Sequence, residues 1–179
     1  WIMKRSKYQI FFYDSGQSVR PGDIPQDKFE EIKGTSELYI SHTIKSQMRS
    51  MGGEDYLTYI KGLLNNKPGL EPKTFGDYEF LLFENISEMR DLIHLRDSEF
   101  GLSRLIAGYA WKWNTKNMSY QQIEQNNAFD IKIQEETFIW NKSGIGWINS
   151  KNAINEVGSI HTTQGYDLNY AGVIIGPEL

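Results

Sequence analysis

The chain has 179 residues, of which 39% are hydrophobic and 23% are charged, and its formal net charge is −4. This length and composition are typical of one globular domain or slightly more, and the absence of cysteine excludes disulfide scaffolds, thiolate zinc sites and cysteine nucleophiles. A protein that held nucleic acid through its overall charge would be basic, so any such contact must come from a local patch.

The first half of the chain is predicted to alternate short strands with helices. Aromatic and β-branched residues over 8–13 predict a buried strand, and residues 37–41 are a second strand candidate. Residues 26–33 predict a short helix that ends at Gly34. Residues 53–65 place apolar side chains at helical spacing and stop at an Asn-Asn-Lys-Pro-Gly sequence, so they predict a longer helix.

The middle of the chain continues this alternation. Residues 78–83 and 103–109 are short apolar runs that predict strands. Between them, residues 86–97 predict a helix with Ser87 as its N-cap. Residues 114–127 are polar and predict an insertion loop without a motif.

The end of the chain is predicted to be mostly strand and turn. Residues 129–133 and 137–140 alternate as a hairpin does, residues 155–160 lead into a turn, and residues 171–175 form a last buried strand. Short apolar strands that alternate with amphipathic helices predict an α/β fold with a mostly parallel sheet and helices on both faces. In such sheets ligands bind beyond the carboxyl ends of the strands.

Several common motifs and signals are absent from the sequence. It contains no G-x-x-x-x-G-K-[ST] phosphate loop and no G-x-S-x-G nucleophile turn. The three histidines lie far apart in sequence, so no metal site is predicted. No signal peptide and no membrane-length apolar run is present, and the lack of cysteine suits a reducing compartment. We therefore predict a cytoplasmic protein without a membrane partner.

Residues 157–175 resemble motif V of superfamily 1 helicases. In that motif a strand is followed by a His/Thr turn, by Gln-Gly and an acid, and then by another strand. Such a turn directs threonine hydroxyls and backbone N–H groups toward an anionic backbone, and Gly165 permits a positive φ or a close approach. Asp167 can accept a hydrogen bond from ribose hydroxyls. On composition alone, a strand–turn–strand corner with glycine for its geometry explains the run equally well.

Two further stretches resemble helicase motifs in the expected order. Residues 11–22 resemble motif III, in which a strand delivers Gln17 toward the γ-phosphate of a nucleotide. Residues 46–50 resemble motif IV, with Arg49 as the cation that faces the phosphate. The alternative interpretation is that Gln17 is a polar turn residue and Arg49 a solvated charge. Met48 stands where many relatives carry a base-stacking aromatic residue.

Three further stretches are typical of one helicase family. They are residues 104–113, the Trp140-Asn141 pair and residues 161–179. Over about residues 8–179 the sequence resembles the schlafen-type (group 3-like) DNA/RNA helicase family, bacterial proteins largely of unknown function. The resemblance implies a RecA-like fold. Residues 1–34 would be the end of a first RecA-like lobe, and residues 35–179 would be most of the second lobe.

The resemblance also implies that the chain is part of a longer protein. The P-loop and the Mg²⁺-binding motif would precede Trp1, and the arginine-bearing motif VI would follow Leu179. ATP and Mg²⁺ would then bind in the intact parent between its two lobes, and not tightly to this chain, which we expect to be inactive alone. The expected partners are the first RecA-like lobe of the same chain and a DNA or RNA single strand.

The resemblance assigns roles to individual residues. Gln17 and Arg49 would be catalytic, and Gln47, Gly165 and Asp167 would contact the nucleotide. Contacts to the nucleic-acid strand are implied for a set of polar and aromatic residues that follow two predicted strands: His161, Thr162, Thr163, Gln164, Trp111 and Trp113. Stacking on bases is also implied for Tyr109, beside Trp111 and Trp113, because every base has a π-face. The alternative interpretation of the two tryptophans is that they are large core residues.

Three classes of function follow from these observations. The first, which we favour, is an ATP-dependent DNA/RNA helicase or translocase-like NTPase. The second is a regulatory nucleotide-binding ATPase without unwinding activity, which the acidic composition favours. The third is a non-enzymatic interaction module with degenerate motifs; the near-complete motif V string argues against it.

Overall fold

The structure is a computed structural model that describes residues 4–18, 22–44, 50–144 and 146–176; the side chain of Gln17 is not described. The chain forms two compact units, Trp1–Ser46 and Gln47–Leu179. In the described part of the chain, no helix combines the length and apolar character that crossing a bilayer requires. The division between lobes at residue 34 stays a prediction.

The first unit contains one helix, α1 (Gln26–Gly34), where the sequence predicts it. The predicted strands at 8–13 and 37–41 are wrong, because within the described residues 4–18 and 22–44 no strand forms. Tyr8 and Phe12 are each 92% exposed. A strand needs a hydrogen-bonded neighbour, and the described residues of this unit supply none. The ring of Tyr13 instead stacks on Phe29 of α1, with ring centroids 4.1 Å apart.

The second unit begins with α2 (Gly53–Leu64), again where the sequence predicts a helix. The predicted strand at 78–83 is wrong: apart from one antiparallel bridge between Phe75 and Tyr78, these residues pair with no strand in the described chain. Their aromatic rings pack on α2 instead, with the ring centroids of Tyr56 and Tyr78 4.7 Å apart. The apolar run thus packs against a helix without joining a sheet.

The helix α3 (Ile86–Phe100) follows, and its N-cap is Asn85 rather than the predicted Ser87. The Asn85 side chain accepts the backbone N–H of Ser87 at 2.8 Å, so the residue two positions earlier is the N-cap. The helix packs against β1 (Ser103–Ala107), the next element of the chain. Ile86 and Ile93 of α3 are buried in the main core with Leu105 of β1.

The segment predicted as an insertion loop contains the short helix α4 (Tyr120–Gln125), so that prediction is wrong. The sequence signal is a capping box, because Ser119 accepts the backbone N–H of Gln122 while the Gln122 side chain accepts that of Ser119. The predicted hairpin is confirmed, with β2 (Ile131–Ile133) antiparallel to β3 (Glu136–Phe138).

The central sheet has β1 in the middle, with β4 (Val157–Ser159) on one side and β5 (Tyr170–Ile174) on the other. Both neighbours run parallel to β1. Trp140 adds a parallel bridge to Val157 at the edge of β4. Between β4 and β5 lies the four-residue helix α5 (Ile160–Thr163). This parallel sheet with flanking helices confirms the predicted α/β fold class and agrees with a RecA-like arrangement.

The two faces of the sheet are covered differently. The helix α3 packs on β1 and β5 from one side. On the other side, a small cluster of Trp147, Ile148 and Ala153 from two 3₁₀ turns takes the place of a helix. The prediction of helices on both faces is therefore correct for one face only. The buried Trp147 ring lies against Gly158 of β4, where a side chain would not fit.

Replacing Gly158 with alanine is expected to lower the free energy of unfolding by about 1–3 kcal/mol, the usual cost of overpacking a core. An alanine Cβ would lie 2.6 Å from Trp147 Cη2. The indole cannot move aside easily, because its Nε1–H donates to the buried carboxylate of Glu156 at 2.9 Å. Urea denaturation measures the loss. Gly108→Ala is the matched control, because no atom lies within 4 Å of its Cβ, and an equal loss in both variants would contradict this explanation.

Candidate nucleic-acid interface

The candidate site lies at the carboxyl end of the parallel sheet. Tyr109 follows β1 and His161 lies in α5, directly after β4, so parallel pairing of the two strands brings both residues to one edge. The Tyr109 and His161 ring centroids are 5.8 Å apart. Tyr109 is 60% exposed, which leaves much of its ring available to a ligand. This is the edge of the sheet at which the sequence predicts a ligand site, and that prediction stays open.

The buried ring of Trp140 packs against the ring of Tyr109. Trp140 is only 2% exposed, its Nε1–H donates to the carbonyl of Ala107 at 3.2 Å, and its ring meets that of Tyr109 edge to face at 4.5 Å. Trp113 contacts Trp140 in the same way at 5.4 Å. We call Trp113, Trp140, Tyr109 and His161 the aromatic ladder, because each ring contacts the next in that order.

The two tryptophans that the resemblance implies as base-stacking residues are both half-buried. Trp111 and Trp113 pack against the main core, which agrees with their interpretation as core residues. Trp113 also contacts Trp140 and so belongs to the ladder. Tyr109, which the same segment supplies, is the more exposed ring. Its contact to the nucleic acid, like theirs, stays a prediction.

The turn after β4 holds its own shape through hydrogen bonds. Thr162 is buried, and its Oγ1 accepts the backbone N–H of Ser159 at 2.9 Å, while Ser159 Oγ accepts that of Thr162 at 3.3 Å. Thr163 Oγ1 donates to the Ser159 carbonyl at 3.1 Å. Both threonine hydroxyls thus cap the turn that carries them, and the contacts of Thr162 and Thr163 with nucleic acid stay predictions.

Beyond the turn, the chain is open to solvent. Gln164, Gly165 and Asp167 are exposed. Gly165 has a φ of +92°, the conformation that the sequence predicts for glycine here. The predicted contacts of these residues with nucleotide or nucleic acid stay predictions.

His161 has one ring nitrogen turned inward. Its Nδ1 is buried and has no hydrogen-bond partner among the described residues. A buried N–H without an acceptor is rarer than a buried lone pair without a donor, so the neutral ring is expected to carry its proton on Nε2. Nε2–H would then serve as a hydrogen-bond donor beside the exposed ring of Tyr109.

Asn141 is a member of the site to which sequence reasoning gives no role. Its side-chain oxygen accepts the hydroxyl of Ser159 at 2.9 Å, and its backbone N–H donates to the carbonyl of Val157, also at 2.9 Å. The residue thus fixes β4 and the start of α5 to the end of the hairpin. Its positive φ of 52°, which asparagine adopts more readily than most residues, is a signal that only the structure reveals.

The remaining predicted site residues lie in the first unit or outside the described residues. Gln17 ends a 3₁₀ turn in the first unit, where the Asp14 side chain accepts the N–H of Gly16. Gln47 and Arg49, and with them Met48, lie outside the described residues. Their grouping with Gln17 and Gln164 around one crevice stays a prediction.

One lysine lies directly at the aromatic ladder. Residues 101–123 and 137–155 contain five lysine or arginine residues and no aspartate or glutamate, although acidic residues flank both segments. One of the five, Arg104, is buried and bound to Asp97. Lys116 holds its Nζ 5.1 Å from the centre of the Trp113 ring. Lys116 therefore places a positive charge next to the aromatic rings, as contact with nucleic acid requires in an acidic protein.

The described residues do not form a metal site, because in this part of the chain no three histidine or carboxylate side chains gather as a metal ion requires. No phosphate loop is present in the sequence either. The geometry of the described residues therefore assigns no role to Mg²⁺ or to a nucleotide.

The parallel sheet, its flanking helices and the polar turn at its carboxyl end define an α/β domain consistent with a RecA-like fold. Residues 1–179 match the family described as Schlafen group 3, DNA/RNA helicase domain, and the chain belongs to this family. The match confirms the resemblance that the motifs indicate.

One relative is a protein of Saccharomyces cerevisiae, the uncharacterized protein YPL245W, which is 24% identical over 201 residues. The match covers 99% of this chain but 43% of the yeast protein, so the chain spans less than half of that relative's length. No solved structure matches the chain. A bacterial origin stays a prediction.

Proposed function

We propose that this domain holds single-stranded DNA or RNA at the carboxyl end of its sheet, as part of an ATP-dependent helicase or translocase. The observation that carries the proposal is the exposed ring of Tyr109, supported by the buried ring of Trp140 and flanked by His161. A fixed, exposed aromatic ring next to a positive patch is the usual way to bind single strands without reading their sequence, because every base has a π-face. Membership of a DNA/RNA helicase family supports this class of ligand.

In this proposal each residue has a distinct task. Tyr109 stacks on a base, and His161 donates a hydrogen bond from Nε2 to the strand. The exposed Gln164 contacts the same strand beyond the turn. Asn141 and Ser159 hold the turn in place through their hydrogen bond, so they position His161 without touching the ligand.

ATP and Mg²⁺ enter the proposal through the rest of the parent protein. ATP would draw the first RecA-like lobe toward this domain, with Gln17 and Arg49 sensing its γ-phosphate. Gln47, Gly165 and Asp167 would face the nucleotide. The sequence order of the motifs supports these assignments.

Tyr109→Ala is expected to weaken binding of a single-stranded oligonucleotide by about 1–3 kcal/mol, or roughly 5- to 150-fold, because one stacked base is lost. Fluorescence anisotropy with labelled DNA and RNA strands and the full-length protein measures the change. Tyr109→Phe keeps the ring and is expected to bind nearly as wild type does.

The matched control is Phe100→Ala, since Phe100 is 56% exposed but ends α3 just before β1 begins, at the opposite end of the sheet from Tyr109. Equal affinity of wild type, Tyr109→Ala and Phe100→Ala would refute the proposed interface.

A second candidate is a regulatory nucleotide-binding ATPase that does not unwind nucleic acid, and the net charge of −4 favours it. A third is a non-enzymatic interaction module. Strand displacement by the full-length protein would support the helicase. ATP turnover without strand displacement would support the regulatory ATPase. If the full-length protein shows neither activity, the interaction module is the remaining candidate.

A further inference from the structure

Residues 111–125, which we call the arm, are ordered although their polar composition predicts a loop. The second half of the arm contains α4. The first half is held against the core by the carboxylate of Asp130. Asp130 is buried, and it accepts the backbone N–H of Thr115 at 2.8 Å and the Thr115 hydroxyl at 2.6 Å. The same carboxylate accepts the backbone N–H of Trp140 at 2.8 Å, so it joins the arm to the aromatic ladder.

A second buried carboxylate anchors the far end of the arm. Glu156 accepts the hydroxyl of Tyr120 at 2.7 Å and the indole N–H of Trp147 at 2.9 Å. Burial, together with this hydrogen bond, raises the pKa of Tyr120, so the hydroxyl remains a donor at neutral pH. Glu156 directly precedes β4, and the arm is therefore held by the strand that leads to His161.

The charged side chains of the arm's first half are all positive. Lys112 is exposed between the two tryptophans, and Lys116 lies over the ring of Trp113. In the described part of the chain, neither lysine lies within ion-pair distance of a carboxylate, whereas Lys73 pairs with Asp55 at 3.0 Å. The nearby carboxylates of Asp130 and Glu156 are buried and already accept neutral donors.

We propose that the arm binds the phosphate backbone of the same single strand, with Lys112 and Lys116 as the contacting cations. This inference rests on the proposed function, because it places the phosphates next to a base stacked on Tyr109. The ladder places the cations near the stacking ring: Tyr109 contacts the buried Trp140, Trp140 contacts Trp113, and Lys116 lies over Trp113. The ligand chemistry is a polyanion of single-stranded nucleic acid, which the positive first half of the arm complements.

The test is the salt dependence of single-strand binding by the full-length protein. Each phosphate contact contributes about 0.7 to the slope of log K against log salt for a single strand. The double variant Lys112→Gln/Lys116→Gln is therefore expected to reduce the slope by about 1.4 between about 50 and 200 mM salt. Lys132→Gln is the control, because Lys132 is exposed on β2, outside the arm, and the slope of this variant is expected to equal that of wild type.

The outcomes separate this inference from the proposed function. An unchanged slope in the double variant, with wild-type protein that still binds through Tyr109, overturns the arm and leaves the proposed interface. If Lys132→Gln reduces the slope as much per lysine removed as the double variant does, the arm is also overturned, because the change in net charge alone would then explain the smaller slope. Failure of wild-type protein to bind any single strand overturns both. Thermal unfolding of each variant shows whether the fold is intact, and since both lysines are at the surface we expect it to be unchanged.

Discussion

Trp140→Ala is expected to lower the free energy of unfolding by about 3–5 kcal/mol, the range for truncating a large buried aromatic residue. The indole lies in the main core, 2% exposed, and its Nε1–H satisfies the carbonyl of Ala107. Its loss leaves a cavity under Tyr109 and removes the ring against which Trp113 packs. A loss of this size is a large fraction of the stability of a typical domain.

Urea denaturation followed by far-ultraviolet circular dichroism measures this loss. Trp140→Phe keeps an aromatic ring but removes the donor to Ala107 and part of the buried volume of the indole; we expect it to lose about 1–3 kcal/mol, less than Trp140→Ala. Tyr109→Ala is the control on the exposed side of the ladder and should be close to wild type in stability. A loss below about 1 kcal/mol in Trp140→Ala would contradict its place in the core.

Arg104→Ala is expected to cost about 3–5 kcal/mol, because it breaks a buried ion pair on one side only. The guanidinium donates to Asp97 at 2.6 Å and to the carbonyl of Ile148 from two nitrogens, at 2.9 and 3.2 Å. It thereby joins α3, β1 and the small cluster on the opposite face of the sheet. Arg104→Lys keeps the charge but not the fork of donors, so it is expected to recover only part of the loss.

Lys73→Ala is the control for this prediction. Lys73 pairs with Asp55 at 3.0 Å, and the two side chains are 46% and 79% exposed. Exposed pairs contribute about 0–1 kcal/mol, so the control should lose no more than that. Equal losses in the two variants would show that burial of Arg104 has no special effect.

The Arg104 variant also has a predicted pH dependence. Burial tends to raise the pKa of Asp97, but the N–H of Ser103 and the guanidinium of Arg104 outweigh it and hold this pKa below its ordinary value. A carboxylate with a lowered folded-state pKa stabilises the fold above its unfolded pKa, near about 4, and loses that contribution as the pH falls through the folded value. The stability difference between wild type and Arg104→Ala should therefore shrink between about pH 5 and pH 2.

Periodicity was sufficient to predict the helices α1, α2 and α3 and the hairpin of β2 and β3, because these elements depend on local pattern and turns. The predicted strands at 8–13, 37–41 and 78–83 failed for a shared reason. An apolar run indicates that its side chains are buried. A strand also needs a hydrogen-bonded neighbour, and a single sequence does not specify which segment that is. Residues 78–83 pack their rings on α2 instead.

The candidate site shows the same limit. The carboxyl edge of the sheet and the glycine conformation of Gly165 followed from the motif string and from parallel topology. The ordered structure of the arm did not follow from the sequence, because the carboxylates that hold it are distant along the chain. Asp130 and Glu156 lie 15 and 36 residues from the side chains that they bind. Thr162 was assigned to the ligand because its chemistry fits a phosphate, but a threonine at a turn also satisfies its own backbone.

The hydrogen bonds of Thr162 and Thr163 have a consequence for affinity. They complete the turn after β4 from within, so its backbone is ordered before any ligand arrives. The conformational entropy of that loop is then lost during folding and not again on association, and preorganisation of this kind strengthens binding without adding a contact.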